Sequence, residues 1–171
     1  MNERTKPILL CFDGSNDAEN AIRGAGDLLG PRPAVVITVS EPLRLWEPSD
    51  PATIIDAPIG KLLSKALQLE EIIDEVAQEQ VNRGVELARA AGFDAQGRVV
   101  RGKPWRAICE VANQIDAEAI VLGARGLSRV ESALLGSVSA TVSNHVGRPV
   151  LIIHKPTPPT HPTGPEPSTE R

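Results

Sequence analysis

The run Gly123-Ala-Arg-Gly126-Leu-Ser-Arg-Val-Glu-Ser-Ala-Leu-Leu-Gly136-Ser137-Val-Ser139 carries the residue types an anion needs. It follows an apolar stretch that ends at Leu122, and its first two glycines let the backbone approach a ligand closely. Gly136-Ser137 opens a helix whose first amides have no partner within the helix and whose dipole favours negative charge. Ser137, Ser139 and Thr141 add hydroxyl donors, and Arg125 and Arg129 add positive charge. Glycine, amide, hydroxyl and arginine together suit a polyphosphate. Asp13 closes another apolar run, Pro7 to Phe12. Its carboxylate can accept hydrogen bonds from ribose hydroxyls or help hold a Mg²⁺ ion that bridges phosphates. Val39, at the end of a third apolar run, can offer backbone groups to the edge of a base.

These residues need a scaffold that brings separate strand ends together. Pro7–Phe12, Ala34–Val39, Ala119–Leu122 and Val150–Ile153 are short apolar runs bounded by turn residues, so they read as buried strands. Residues 94–102 hold a further strand, centred on Val99-Val100, whose polar alternation suggests a sheet edge. Helices fill the gaps. Ser15 or Asn16 caps the first, which Gly30-Pro31 ends, and Ala18, Ala21, Ile22, Ala25 and Leu28-Leu29 supply its apolar stripe. A long helix spans 61–91, with Leu62, Ala66, Leu69, Ile73 and Val76 as the start of its stripe. Pro104 begins the next, and residues 137–146 form a short last helix.

Strand and helix therefore alternate from end to end, which implies an α/β fold: a doubly wound, five-stranded parallel sheet with helices on both faces. Such sheets bind ligands beyond the carboxyl ends of their strands, where the winding reverses. The first and fourth strands flank that crevice, so Asp13 and the segment after Leu122 fall together.

The same residues resemble the universal stress protein family in its ATP-binding form. The pattern G-x2-G-x9-G-[S/T] is met by Gly123, Gly126, Gly136 and Ser137, and Phe12-Asp13-Gly14-Ser15 matches the family's first strand ending in aspartate. The resemblance covers roughly residues 5–155. It implies strand order 3-2-1-4-5, ATP at the switch point, and homodimers paired through the fifth strand. It also implies that Asp13 contacts ribose and that Val39 contacts adenine through its backbone. Gly123, Gly126, Gly136, Ser137, Val138 and Ser139 would hold ribose and phosphates. The departures are a proline-rich loop over 40–60 and a proline-rich tail.

Composition narrows the remaining classes. Lys plus Arg is 18 against 22 Asp plus Glu, a net charge of −4, and aromatic residues are 2% of the chain. A chain without a cationic face or a stacking platform is a poor nucleic-acid binder. No apolar run approaches the roughly 18 residues of a membrane span. Two isolated cysteines, Cys11 and Cys109, form no disulfide framework or zinc site, and the N-terminus lacks a secretory pattern, so a cytoplasmic protein is expected. Residues 1–155 form the nucleotide-binding domain. From 156 to 171, six of 16 residues are proline and none is a large apolar type, which predicts a disordered tail.

Competing motifs fail. Gly24-Ala-Gly26-Asp-Leu-Leu-Gly30 has the wrong spacing for a dinucleotide fingerprint and ends a helix. No P-loop occurs, a receiver domain would need an acidic cluster around Asp13, and neither His145 nor His154 has a matching nucleophile motif. The expectation is an ATP-binding stress-response regulator with at most slow ATP hydrolysis. The alternatives are an adenylating enzyme of related fold or an interaction module that has lost ATP.

Overall fold

The structure is a computed structural model that describes residues 5–41, 59–126 and 135–154. Its elements run β1 (Ile8–Cys11), α1 (Asn16–Leu29), β2 (Pro33–Ser40), α2 (Ile59–Ala90), β3 (Asp94–Arg101), α3 (Pro104–Gln114), β4 (Ala119–Gly123), α4 (Ser137–His145) and β5 (Val150–Ile153). The five strands form one sheet in the order β3-β2-β1-β4-β5. Every pairing is parallel, with Leu10 of β1 opposite Val36 of β2 and Val121 of β4. The alternating polar strand, β3, lies at an edge, as its pattern predicts.

Period-two alternation divides β1 between two cores. Ile8, Leu10 and Phe12 pack with α1 and α2 on one face, while Leu9 and Cys11 pack with α3 and α4 on the other. Ile22 of α1 is fully buried, and burying such a side chain contributes about 1.5–3 kcal/mol. The helix α2 reaches the sheet closely only because Gly84 lacks a side chain. A Cβ there would lie 2.8 Å from both Phe12 Cδ1 and Val36 Cγ1.

The long helix departs from expectation in two ways. It begins at Ile59, so Gly60 sits inside its first turn, where a glycine costs only about 0.5–1 kcal/mol. Its stripe also splits. Ala66 and Ala77 are buried, but Leu69 is 46% exposed and Val76 54%. Geometry explains this. A crossover helix runs antiparallel to its strands, so the start of α2 stands at the carboxyl end of the sheet. Arg101, the last residue of β3, pairs with Asp74. The part of α2 before Glu70, which also pairs with Arg101, therefore continues about three turns beyond the end of β3, while Val76 faces outward above the start of α1, whose Glu19 pairs with Arg83 about two turns further along. Leu28, in the expected stripe of α1, is likewise exposed. The proline-rich loop, apart from its ends, and the tail from 155 onward lie outside the described residues.

Candidate functional site

The carboxyl end of β1 turns sharply into α1. Gly14 takes φ +79°, a left-handed conformation that favours glycine. Ser15 is the N-cap, its Oγ accepting from the Ala18 amide at 3.2 Å. The Asp13 Oδ1 accepts from the Ser15 amide at 3.0 Å, which fixes the carboxylate against the turn. The carbonyl before it, Phe12 O, accepts from Thr38 Oγ1 at 3.0 Å and Gln80 Nε2 at 3.5 Å, so β2 and α2 both hold this corner.

The end of β4 meets that corner directly. A Cβ on Gly123 would fall 2.8 Å from the carbonyl carbon of Asp17 and 2.9 Å from the Ala18 nitrogen. A Cβ on Gly126 would fall 2.6 Å from Asp13 Oδ2. The room these glycines make is thus taken by the protein itself: Gly123 lets α1 start beside β4, and Gly126 lets Asp13 lie between the two loops. The loop is tied down where it returns, since the Gly136 amide donates to Ala124 O at 2.7 Å and the Ala124 amide to Ile153 O at 3.1 Å.

Gly136 is the N-cap of α4 at φ −66° and ψ 152°, with no side-chain cap. Helix bonding begins with the Ala140 amide donating to Gly136 O at 2.9 Å. The amides of Ser137, Val138 and Ser139 precede that first bond and open outward as donors. The hydroxyls behave differently from expectation. The buried Ser139 Oγ donates to Gly123 O at 2.8 Å, and Thr141 Oγ1 donates to Ser137 O at 2.7 Å. Both are committed to backbone carbonyls, which leaves the amides and Ser137 to face an anion. Arg129 lies outside the described residues.

A cavity of about 380 Å³ opens over these strand ends. Asp13, Val39, Leu122, Gly123 and Arg125 line it, and so do Gly126, Gly136, Ser137, Val138 and Ser139, whereas Thr141 borders only a neighbouring recess. Sequence reasoning passed over Cys11, Ile37, Glu41, Pro104 and Ile108. A period-two signal could have found most of them: Cys11 and Asp13 share one face of β1's line, and Ile37, Val39 and Glu41 share one face of β2's. The cavity is apolar around Ile37, Val39, Pro104, Ile108 and Leu122, and carries Asp13, Glu41 and Arg125 as its charged lining among the described residues. Burial first, then the negative charge of Asp13, pushes the Cys11 thiol well above its usual range. It stays protonated and serves as wall, not nucleophile. A second recess of about 300 Å³ shares Glu41, Pro104, Ser137 and Val138 with the first and adds Lys103 and Trp105.

Metal-binding capacity is small. Among the described residues no group of three or more His, Cys, Asp or Glu side chains could hold an ion. His145 bonds the Thr141 carbonyl through Nδ1 at 2.8 Å and sets its ring 5.0 Å from that of Trp105 at a tilt of 41°, away from the cavity lining.

Similarity to known proteins agrees with this geometry. The universal stress protein Rv1636 of Mycobacterium tuberculosis is 29% identical over 149 residues, which is 87% of this chain and 96% of that one. The structure of the protein MJ0577 superposes with a TM-score of 0.70 at 21% identity, over 91% of this chain and 99% of that one. A universal stress protein solved in complex with cAMP superposes at 0.53 with 27% identity, over 87% and 96% of the two chains. Residues 4–154 match the universal stress protein family, and the chain belongs to it.

Proposed function

We propose that this protein binds ATP in the cavity over β1, β2 and β4 and acts as a stress-response regulator. The observation that carries the reading is the meeting of three chemistries in one space: an apolar slot, a fixed carboxylate and an uncapped helix N-terminus. Adenine fits the slot beside Ile37 and Pro104, read by the backbone of Val39. Ribose hydroxyls donate to Asp13. The phosphates lie on the amides of Ser137 to Ser139, with Arg125 beside them. Mg²⁺ fits only as a companion of the phosphates, with Asp13 as its single protein ligand, since the described residues offer no cage. The described lining contains no lysine or histidine, so hydrolysis should be slow. The two isolated cysteines support work in the cytoplasm. No helix among the described residues is long and apolar enough to cross a membrane.

The relative bound to cAMP favours a second reading, in which the ligand is an adenine monophosphate. Calorimetry with ATP, cAMP, AMP and GTP separates the two. A backbone donor and acceptor matched to adenine leaves guanine's polar edge mispaired, at about 1–3 kcal/mol for each buried unpaired group. We expect ATP to bind at least ~10-fold more tightly than GTP, in keeping with one such group. Equal affinity for the two triphosphates overturns the adenine reading. Tighter binding of cAMP or AMP than of ATP overturns the polyphosphate reading and leaves the adenine slot standing.

A further inference from the structure

We infer that the face of α2 above its contact with α1 is a self-association surface, on which a second copy of this chain docks antiparallel. Lys65, Leu69, Ile72, Val76 and Glu79 follow one another at spacings of 4, 3, 4 and 3, the rhythm of a coiled-coil seam. The three central side chains are aliphatic and open to solvent: Leu69 is 46% exposed, Ile72 52% and Val76 54%. The line has a definite place in the fold. Seven residues beyond Val76, Arg83 pairs with Glu19, so the lower part of the same line is where α2 meets α1. Above the first turn of α1 the seam turns outward, and before Glu70 the helix continues past the end of β3. A continuous apolar seam of this kind on a solvent-facing helix marks an interaction surface, whereas the exposed Leu67 stands singly on the other flank.

Charge selects the occupant. The exposed Lys65 and Glu79 stand seven residues to either side of Ile72. A two-fold axis at Ile72 with the helices antiparallel sets Lys65 against the partner's Glu79, and does so at both ends. A parallel pairing sets like charges together. The exposed Glu75 flanks the same end as Glu79, which strengthens the contrast between the two ends. The other flank of α2 is already used, since Asp74 and Glu70 lie against Arg101 of β3. Three half-exposed aliphatic side chains per copy make a contact well below the usual interface of about 1,600 Å². The association is therefore weak and concentration-dependent, with the aliphatic seam giving affinity and the charges giving orientation. It does not involve β5, at the opposite edge of the sheet from β3, and does not depend on the nucleotide reading.

The test uses the full chain in a Cys109→Ser background, which leaves Cys11 buried. Ile72→Cys, on the axis, should form a covalent dimer under mild oxidation. Leu67→Cys, equally exposed but on the other flank, should not. In sedimentation at rising concentration, Lys65→Glu and Glu79→Lys should each weaken the concentration-dependent step by about 5-fold, and the double charge swap should restore it. Failure of Ile72→Cys to cross-link, equal yields from both cysteines, or a double swap no better than its single variants overturns the proposal. The last outcome would mean that another occupant, this chain's own 42–58 segment or a different protein, covers the seam.

Discussion

At Gly126 there is no room for a methyl group, and what fills the space is the Asp13 carboxylate, 2.6 Å from where a Cβ would stand. A carboxylate at the end of a short side chain can swing aside without disturbing the core, but not without leaving the Ser15 amide it now accepts from. Gly126→Ala should therefore lower the melting temperature by about 3–10 °C, the loss of one hydrogen bond to a charged group at about 1.5–3 kcal/mol, with the fold kept. Nucleotide affinity should fall by about 10-fold or more, since a hydrogen bond to a charged group is worth about 1.5–3 kcal/mol. Calorimetry beside a thermal melt checks both, and unchanged affinity would mean that Asp13 does not touch the ligand. The glycines are also where sequence reading reached its limit. Their spacing located the loop, because a glycine after a strand is visible in the chain. What each glycine makes room for was not, because the neighbour comes from a segment about a hundred residues away, Asp13 for Gly126 and the start of α1 for Gly123. The committed hydroxyl of Ser139 was hidden for the same reason: its acceptor, Gly123 O, is met only through the fold.

The helix α2 shows how an element can be legible in outline and misleading in detail. Its apolar repeat announces a long amphipathic helix, but a repeat does not reveal how far the sheet beneath it extends. Leu69 and Val76 fit the stripe and still face solvent, while Ala77 and Val81, lower down, are buried. Gly84 reads in sequence as a weak point of the helix, and replacing it with alanine should raise helix propensity by about 0.5–1 kcal/mol. The contact works the other way. The atoms a Cβ would strike belong to Phe12 and Val36, both buried in the core, so neither can move aside and the helix must shift. Overpacking of this kind costs about 1–3 kcal/mol, more than the propensity gain. Gly84→Ala should lower the melting temperature by a few degrees, at about 2–4 °C per kcal/mol. A rise would mean that α2 sits further from the sheet than 2.8 Å contacts imply.

For the whole molecule the question is which sheet edge stays open. Both edge strands, β3 and β5, have one row of backbone donors and acceptors turned away from the sheet. They are guarded differently. The outer strand β3 is largely exposed and polar, with Gln96, Arg98 and Arg101, and Arg101 is held by Asp74 and Glu70 of α2. Charge of that kind discourages another strand from adding. The strand β5 reads Val150-Leu-Ile-Ile153, all four residues half-buried, and among the described residues pairs with β4 alone. Leu151 and Ile153 pack toward one core and Val150 toward the other, so the strand is held firmly on its inner side and presents an apolar, uncharged edge outward. This asymmetry was partly legible in sequence, because the polar alternation of β3 and the unbroken apolar run of β5 are both local patterns. Which strands end up outermost is a matter of winding, set by the crossovers and not by either strand. An unguarded edge of this composition should pair with its own copy across a two-fold axis, extending one sheet through both subunits. Ile152→Lys places a charge on that edge without entering a fully buried position, so the subunit should still fold, with unchanged circular dichroism. Sedimentation at micromolar concentration should show a dimer for the parent and at least a 10-fold weaker association for the variant, the scale expected when a charge is desolvated without a partner. A parent that sediments as a monomer would overturn the dimer, and a variant of undiminished mass would place the subunit contact elsewhere than β5.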